Sequence, residues 1–382
     1  MLDAKLKHAL NDLKQSHRIR TRTAHNGAHG QKISLNGKNH INFCSNDYLG
    51  LSQHPAVQAA FIEGCKQYGV GATASPLIVG YTAAHEALEN ELAHFFNRPR
   101  ALLFNSGYTA NLSVLSALPQ KDDTLFLDKL SHASLVEGAK HSGNSFRRYP
   151  HANMPILSNW LEATPKGAGV IITDGIFSMD GDVAPYAALA ALRAQHHAAL
   201  VVDDAHGMGV MGNGQGSVYE AGINDSVDVL VGTCGKALGT MGAYVLGSEA
   251  VIETLINLSK PYIYSTMQAP ALAVATRASL KVLQEESWRR THLHELIQYY
   301  RTVASQTQVA VLPSHTPIQG ILVHDNAKAL ALSEALKNEG ILALAIRPPT
   351  VPENTARLRI TLTALHQKQD IDALFDCLLK HQ

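Results

Sequence analysis

The chain has 382 residues, 46% of them hydrophobic, with 32 Lys+Arg balanced by 32 Asp+Glu. That length and apolar content allow a large core and more than one domain or subdomain. The balanced charge gives no global electrostatic case for nucleic acid or an anionic membrane, and four scattered cysteines without a CxxC pair argue against a zinc site or a secreted disulfide framework.

Residues 2–20 alternate charged and apolar positions at helical spacing, followed by a polar Gly/His stretch (25–30) and the apolar segments Ile33-Ser34-Leu35 and Ile41-Asn42-Phe43. This reads as an N-terminal arm. Residues 1–22 hold no apolar run of signal-peptide length, and no stretch elsewhere approaches membrane-spanning length, so a cytoplasmic location is expected. Helical patterns follow at 55–68 and 84–96, where Leu88, Leu92, Phe95 and Phe96 share one side. Short apolar runs then alternate with helical segments: 101–104, 124–127, 169–173, 198–202, 227–231 and 243–246. Such alternation predicts crossover connections and a largely parallel sheet with helices on both faces. After Pro270 a long helical stretch (271 to about 302) precedes strand candidates at 319–323, 342–346 and 358–362 and helical segments at 327–339 and 369–379. The expected division is an arm (1–45), a large domain (46–265) and a small α+β domain (266–382), the small domain packed with the arm.

Two groups at the ends of successive apolar strands carry the chemistry. Val201-Val202-Asp203-Asp204-Ala205-His206-Gly207 puts an acid after one strand, and Thr233-Cys234-Gly235-Lys236-Ala237-Leu238-Gly239 puts a lysine in a glycine-flanked turn after the next. Both would lie at the carboxyl end of a parallel sheet, where such folds bind ligands. A lysine amine for an aldehyde and an anion for a pyridinium nitrogen are what pyridoxal 5′-phosphate (PLP) requires. Asn105-Ser106-Gly107-Tyr108-Thr109-Ala110-Asn111 follows a strand and opens a helix, so its backbone amides suit a phosphate. Ser131-His132-Ala133-Ser134 and Asp174-Gly175-Ile176-Phe177-Ser178-Met179-Asp180-Gly181 add an aromatic ring and hydroxyls at the same end. The 20 histidines include no HExxH and no cluster at ligand spacing, so no metal site is expected. Gly207-Met208-Gly209-Val210-Met211-Gly212 matches GxGxxG, but the loop continues through Asn213-Gly214-Gln215-Gly216 where a dinucleotide fingerprint needs a helix. No GxSxG nucleophile elbow occurs.

Ser45-Asn46-Asp47-Tyr48-Leu49-Gly50-Leu51, Leu130-Ser131-His132-Ala133-Ser134, Phe177-Ser178-Met179-Asp180-Gly181, Val202-Asp203-Asp204-Ala205-His206-Gly207 and Gly235-Lys236 together resemble the α-oxoamine synthases, from about Arg20 to Leu365. The resemblance implies an α/β protein of the type I PLP-dependent transferase fold. It also implies a large domain with a mostly parallel sheet flanked by helices, a smaller α+β C-terminal domain, and a homodimer with shared active sites. Ile346-Arg347-Pro348-Pro349-Thr350-Val351-Pro352 and Ala356-Arg357-Leu358-Arg359-Ile360-Thr361-Leu362-Thr363 are most similar to the members that join L-alanine to a pimeloyl thioester in biotin biosynthesis. Members that use glycine are the alternative. By the same resemblance Lys236 forms the imine with PLP, Asp203 meets the pyridine nitrogen, His206 lies near the phenolic oxygen and His132 stacks over the ring. Gly107, Tyr108, Ser178 and Thr233 would hold the cofactor, with Ser265 or Thr266 reaching a phosphate bound by the partner subunit. Arg359 would take the alanine carboxylate, and Arg20 and Thr350 would face the acyl substrate. The carrier stays open between coenzyme A and acyl carrier protein. Two departures stand out: Pro76 within residues 69–80, where relatives usually carry a Gly/Ser-rich loop, and Cys234 and Ala237 beside Lys236, where Phe and Gly are common.

Overall fold

The structure, a computed structural model, describes residues 2–381. It contains two compact units, one made of the residues up to Asn46, Met179–Gly181 and those from His292 onward, the other of Asp47–Ser178 and Asp182–Thr291.

The second unit is built on a seven-stranded sheet. Its strands run, in spatial order, Arg100–Phe104, Ala243–Gly247, Val229–Thr233, Ala199–Asp203, Gly169–Asp174, Thr124–Asp128 and Ser145–Tyr149. The last five are mutually parallel, whereas Ala243–Gly247 is antiparallel to both neighbours. Gly169–Asp174 and Val229–Thr233 are buried at every position, as their unbroken apolar runs require of strands covered on both faces. Leu102, Val114, Leu125, Ile172, Val201 and Val231 belong to one core cluster. Each such side chain contributes roughly 1.5–3 kcal/mol by leaving water.

Ser145–Tyr149 was not expected as a strand. It is the sheet edge, with Ser145, Arg147 and Arg148 exposed, so it carries charge in place of an apolar run. Arg147 instead covers the Trp160 ring at 3.8 Å.

The helical stretch expected from 271 to about 302 is two helices, Pro270–Glu285 and Trp288–Ser305. They part at Glu286, whose carboxylate accepts from Arg289 Nε at 2.7 Å and lies 3.2 Å from His54 Nε2. Pro270–Glu285 packs against Pro55–Tyr68 so closely that a Cβ on Gly64 would sit 2.8 Å from the Ala271 Cα. That packing is why the compact units divide at Thr291/His292, not at 265/266.

In the first unit the arm and the C-terminal residues share a sheet. Lys38–Asn42 pairs antiparallel with Lys32–Leu35 and parallel with Ile341–Leu342. A second sheet orders Ile318–His324, Ala356–Thr361 and Leu344–Ile346, all antiparallel. The single strand expected at 342–346 is therefore split between two sheets. Among the described residues no helix is long and apolar enough to cross a membrane.

Candidate active site

Sheet register assembles the site. Asp128, Asp174, Asp203 and Thr233 are the last residues of four strands, and Asp174 and Asp203 are direct register partners. Three of these are acids at one end of a dry sheet, an arrangement that requires compensating partners.

Lys236 lies in the turn after Val229–Thr233. Thr233 Oγ1 donates to Gly242 O at 2.9 Å and accepts from Gly235 N at 3.2 Å, and Gly239 N donates to Lys236 O at 2.9 Å. Gly239 has φ +63°, and a side chain there would collide with the Ser52 backbone, so only glycine closes this turn. The turn brings Lys236 Nζ to 2.9 Å from His206 Nε2. His206 Nδ1 is in turn 2.5 Å from the fully buried Tyr48 hydroxyl.

Asp203 is buried and accepts from Asn111 Nδ2 at 2.6 Å and Ala205 N at 3.0 Å. Asn111 also donates to Ser134 Oγ at 2.8 Å, and Ser134 Oγ is 2.7 Å from His132 Nδ1. His132 N donates to Asp174 Oδ2 at 2.9 Å. One network therefore links His132, Ser134, Asn111 and Asp203. Burial holds the His132 imidazole below its ordinary pKa, against the opposing pull of Asp203, so the ring is neutral near pH 7. Burial and then the Asp203 charge push the Asp174 carboxyl well above the usual range.

The Gly107–Ala117 helix begins at Ser106, whose Oγ accepts from Thr109 N at 3.2 Å. Gly107 opens onto free space and Tyr108 is half exposed, so the helix start is accessible to an anion. Asn105 Nδ2 donates to Thr266 O at 2.7 Å, which brings Thr266 to this helix start. Ser178 sits on a turn closed by Phe177 N to Asp182 O at 3.0 Å. His151 braces that turn through Asp128 Oδ1 (3.0 Å) and Asp182 Oδ2 (2.8 Å).

These residues fit PLP. Asp203 is a buried carboxylate whose hydrogen bonds come from neutral donors, Asn111 Nδ2 and Ala205 N, and a protonated pyridine nitrogen would be a charged partner for it. Lys236 would supply the amine, and the Gly107–Ala117 helix start would supply amide donors for a phosphate.

In the other unit, Arg359 on Ala356–Thr361 donates from Nη1 and Nη2 to Asn46 Oδ1, both at 3.1 Å, and from Nη1 to Thr361 Oγ1 at 2.8 Å. Its neighbour Arg357 is buried and paired with Asp180 at 2.5 Å, a structural bond. Arg20 Nη2 donates to Thr350 Oγ1 at 3.2 Å, so these two meet.

Tyr48, Asn111, Ser134 and Asp174 had no assigned role from sequence. Asn111 left a usable trace, since it is a polar residue between inward-facing Ala110 and Val114 on a helix. Tyr48 lay within the Ser45–Leu51 segment that carries the resemblance, but its contact with His206, 158 residues away, could not be read from the sequence.

The chain matches the family model for class I and II aminotransferases over residues 38–378. The 8-amino-7-oxononanoate synthase of Cellvibrio japonicus is 47% identical, over 99% of this chain and 95% of the relative. A serine palmitoyltransferase from S. paucimobilis solved with PLP superposes with TM-score 0.93 at 26% identity, over 99% of this chain and 96% of that one. The 8-amino-7-oxononanoate synthase from Francisella tularensis superposes with TM-score 0.79 at 31% identity, over 89% and 97%. The fold is that of the type I PLP-dependent transferases, and PLP is the cofactor of this family. By sequence match, fold and donor set together, the chain belongs to the class I and II aminotransferases and, within them, to the 8-amino-7-oxononanoate synthases.

Proposed function

We propose that this protein condenses L-alanine with a pimeloyl thioester, giving 8-amino-7-oxononanoate, carbon dioxide and the free thiol, as a PLP-dependent acyltransferase of biotin biosynthesis. The observation that carries the reading is Lys236 Nζ held 2.9 Å from His206, in the turn after Val229–Thr233, with the buried Asp203 ending the neighbouring strand and accepting from Asn111. Bound PLP supplies an aldehyde for amines and a protonated ring that withdraws electrons from the substrate α-carbon. Asp203 keeps that ring nitrogen protonated, and Asn111 fixes the orientation of its carboxylate. Lys236 removes the α-proton of alanine and returns a proton at the end. His132, held by Ser134, would pack against the cofactor ring, and His206 would stand near its phenolic oxygen. A bond forms between the alanine α-carbon and the thioester carbonyl, the thiolate leaves, and the alanine carboxylate departs as carbon dioxide.

Gly107, Tyr108, Ser178 and Thr233 hold the cofactor in this reading, with Ser265 or Thr266 reaching the phosphate bound by the partner subunit. Arg359 takes the alanine carboxylate as a bidentate ion pair, and Arg20 with Thr350 meets the acyl substrate. The protein works as a cytoplasmic homodimer. Large exposed side chains support the dimer: Val70, Leu77, Ile78, Val79 and Tyr264 in one unit, and Leu2, Leu6, Leu10 and Leu13 along one helix in the other.

The test is to add PLP to purified protein and follow the visible spectrum, then assay alanine and glycine separately with pimeloyl-coenzyme A and pimeloyl-acyl carrier protein. A visible band that alanine perturbs, and 8-amino-7-oxononanoate by mass spectrometry, are expected. Protein that stays colourless, or turnover with glycine alone, overturns the reading.

A further inference from the structure

The GxGxxG-like run after Asp203 has no part in the reaction above, yet its glycines have a local physical cause. Asp204 is 2% exposed, and its carboxylate accepts from Ser217 N at 2.6 Å and from Ser217 Oγ at 2.5 Å. The Tyr186 hydroxyl lies 2.6 Å from the same Ser217 Oγ. Three glycines crowd this carboxylate. A Cβ on Gly207 or on Gly216 would collide with the Asp204 oxygens, and one on Gly175 would sit 2.6 Å from Tyr186 Oη and 2.7 Å from Ser217 Oγ. The backbone of Asp204 is engaged as well, because Gly207 N and Met208 N each donate to its carbonyl at 3.1 Å. Asp204 thus clasps the start of the loop 204–217 to its end. His206, the bridge between Lys236 and Tyr48, sits inside the first turn of that loop.

We infer that Asp204 is a positioning residue for the reaction, holding the His206 imidazole between Lys236 Nζ and the Tyr48 hydroxyl by closing the loop onto Ser217. The inference rests on the roles given to Lys236 and His206 above. Local packing also accounts for the glycines of the run: Gly207 makes room for the Asp204 carboxylate, Gly209 abuts Ala237 and Gly212 abuts the Glu220 backbone, so a dinucleotide phosphate is not needed to explain them. Glutamate does not fit there, since one more methylene has nowhere to go against three backbones.

The experiment uses full-length Asp204→Asn, which removes the charge and turns the acceptor of the Ser217 Oγ bond into an NH2 donor, and the milder Ser217→Ala, which removes one of the two bonds. Two readouts are taken. The first is the histidine ring ¹⁵N spectrum of PLP-free protein, with His206→Gln marking the His206 signals. The second is PLP affinity together with the pH midpoint of the visible band. In Asp204→Asn the His206 signals move, PLP binds about tenfold more weakly, and the band midpoint shifts by about one pH unit. Ser217→Ala moves the same readouts in the same direction by less. Variants that lose thermal stability but keep the His206 signals and the band midpoint make Asp204 a loop brace only and overturn the inference. Should Asp204→Asn fail to fold, Ser217→Ala decides by the same criteria. Wild-type protein that takes up no PLP defeats the parent reading, whereas the PLP-free ring spectra still decide the role of Asp204.

Discussion

The strand-end cluster and the arginine stations of the other unit are built differently. Around Lys236 the polar groups are held by others that are themselves buried: Asp203 by Asn111, Asn111 by Ser134, His206 by Tyr48. Arg20 and Thr350, by contrast, are exposed and meet through one 3.2 Å bond, and Arg359 is only half buried against Asn46 and Thr361. A buried network is preorganised and intolerant of change, while a surface arginine contributes charge and a fork of donors that water can partly replace. Damage to the first region is therefore expected in turnover and cofactor retention, and damage to the second in substrate KM.

The largest effect belongs to Lys236→Ala, which in the proposed reaction removes both the cofactor's anchoring amine and the base. Turnover should fall by at least about 10³-fold with the fold intact, as judged by circular dichroism and product assay. Equal loss of alanine KM and kcat with the visible band retained would contradict the contrast. Asp203→Asn keeps the shape and the Asn111 contact but deletes the anion, so kcat should drop about 10²-fold and PLP should dissociate faster, measured by dialysis and absorbance. Arg359→Lys keeps the charge and loses the fork. Its alanine KM should rise roughly tenfold with kcat changed far less, and the reverse split would show that Arg359 belongs with the buried network.

The smallest effect is a stability change with pH. Burial works against a charge on His151, but hydrogen bonds to Asp128 and Asp182 outweigh it and push its pKa up to about 10. A raised folded-state pKa stabilises fully below the ordinary imidazole value near 6.5 and is lost as pH rises toward about 10. The thermal midpoint of wild type should therefore fall toward that of His151→Gln over this interval. Two curves that stay parallel from pH 6.5 to 10 would remove the charged brace from the strand-end cluster.

Much of the sheet was legible because its strands are covered on both faces. Gly169–Asp174 and Val229–Thr233 read as apolar runs, and the acid or hydroxyl ending each run marked the carboxyl end of the sheet. Pro55–Tyr68 matched its expected span residue for residue, with Pro at its start and Gly69 at its end. Ser145–Tyr149 was missed because an exposed edge needs charge more than apolarity. The split of Pro270–Glu285 from Trp288–Ser305 was missed because Glu286 breaks the helix through contacts with His54 and Arg289, one of them distant in sequence.

Sequence alone determined the chemical inventory: an acid and a lysine after successive strands, an amide-rich helix start, and the histidines and arginines that accompany them. Local order along the chain is enough for that, because strand ends in a parallel sheet are set by where apolar runs stop. Only the tertiary structure decided which groups touch. Asn111 on Asp203 and Tyr48 on His206 join residues far apart in the chain, Ser217 on Asp204 closes a loop, and burial, which no single position encodes, is what makes each of those bonds obligatory.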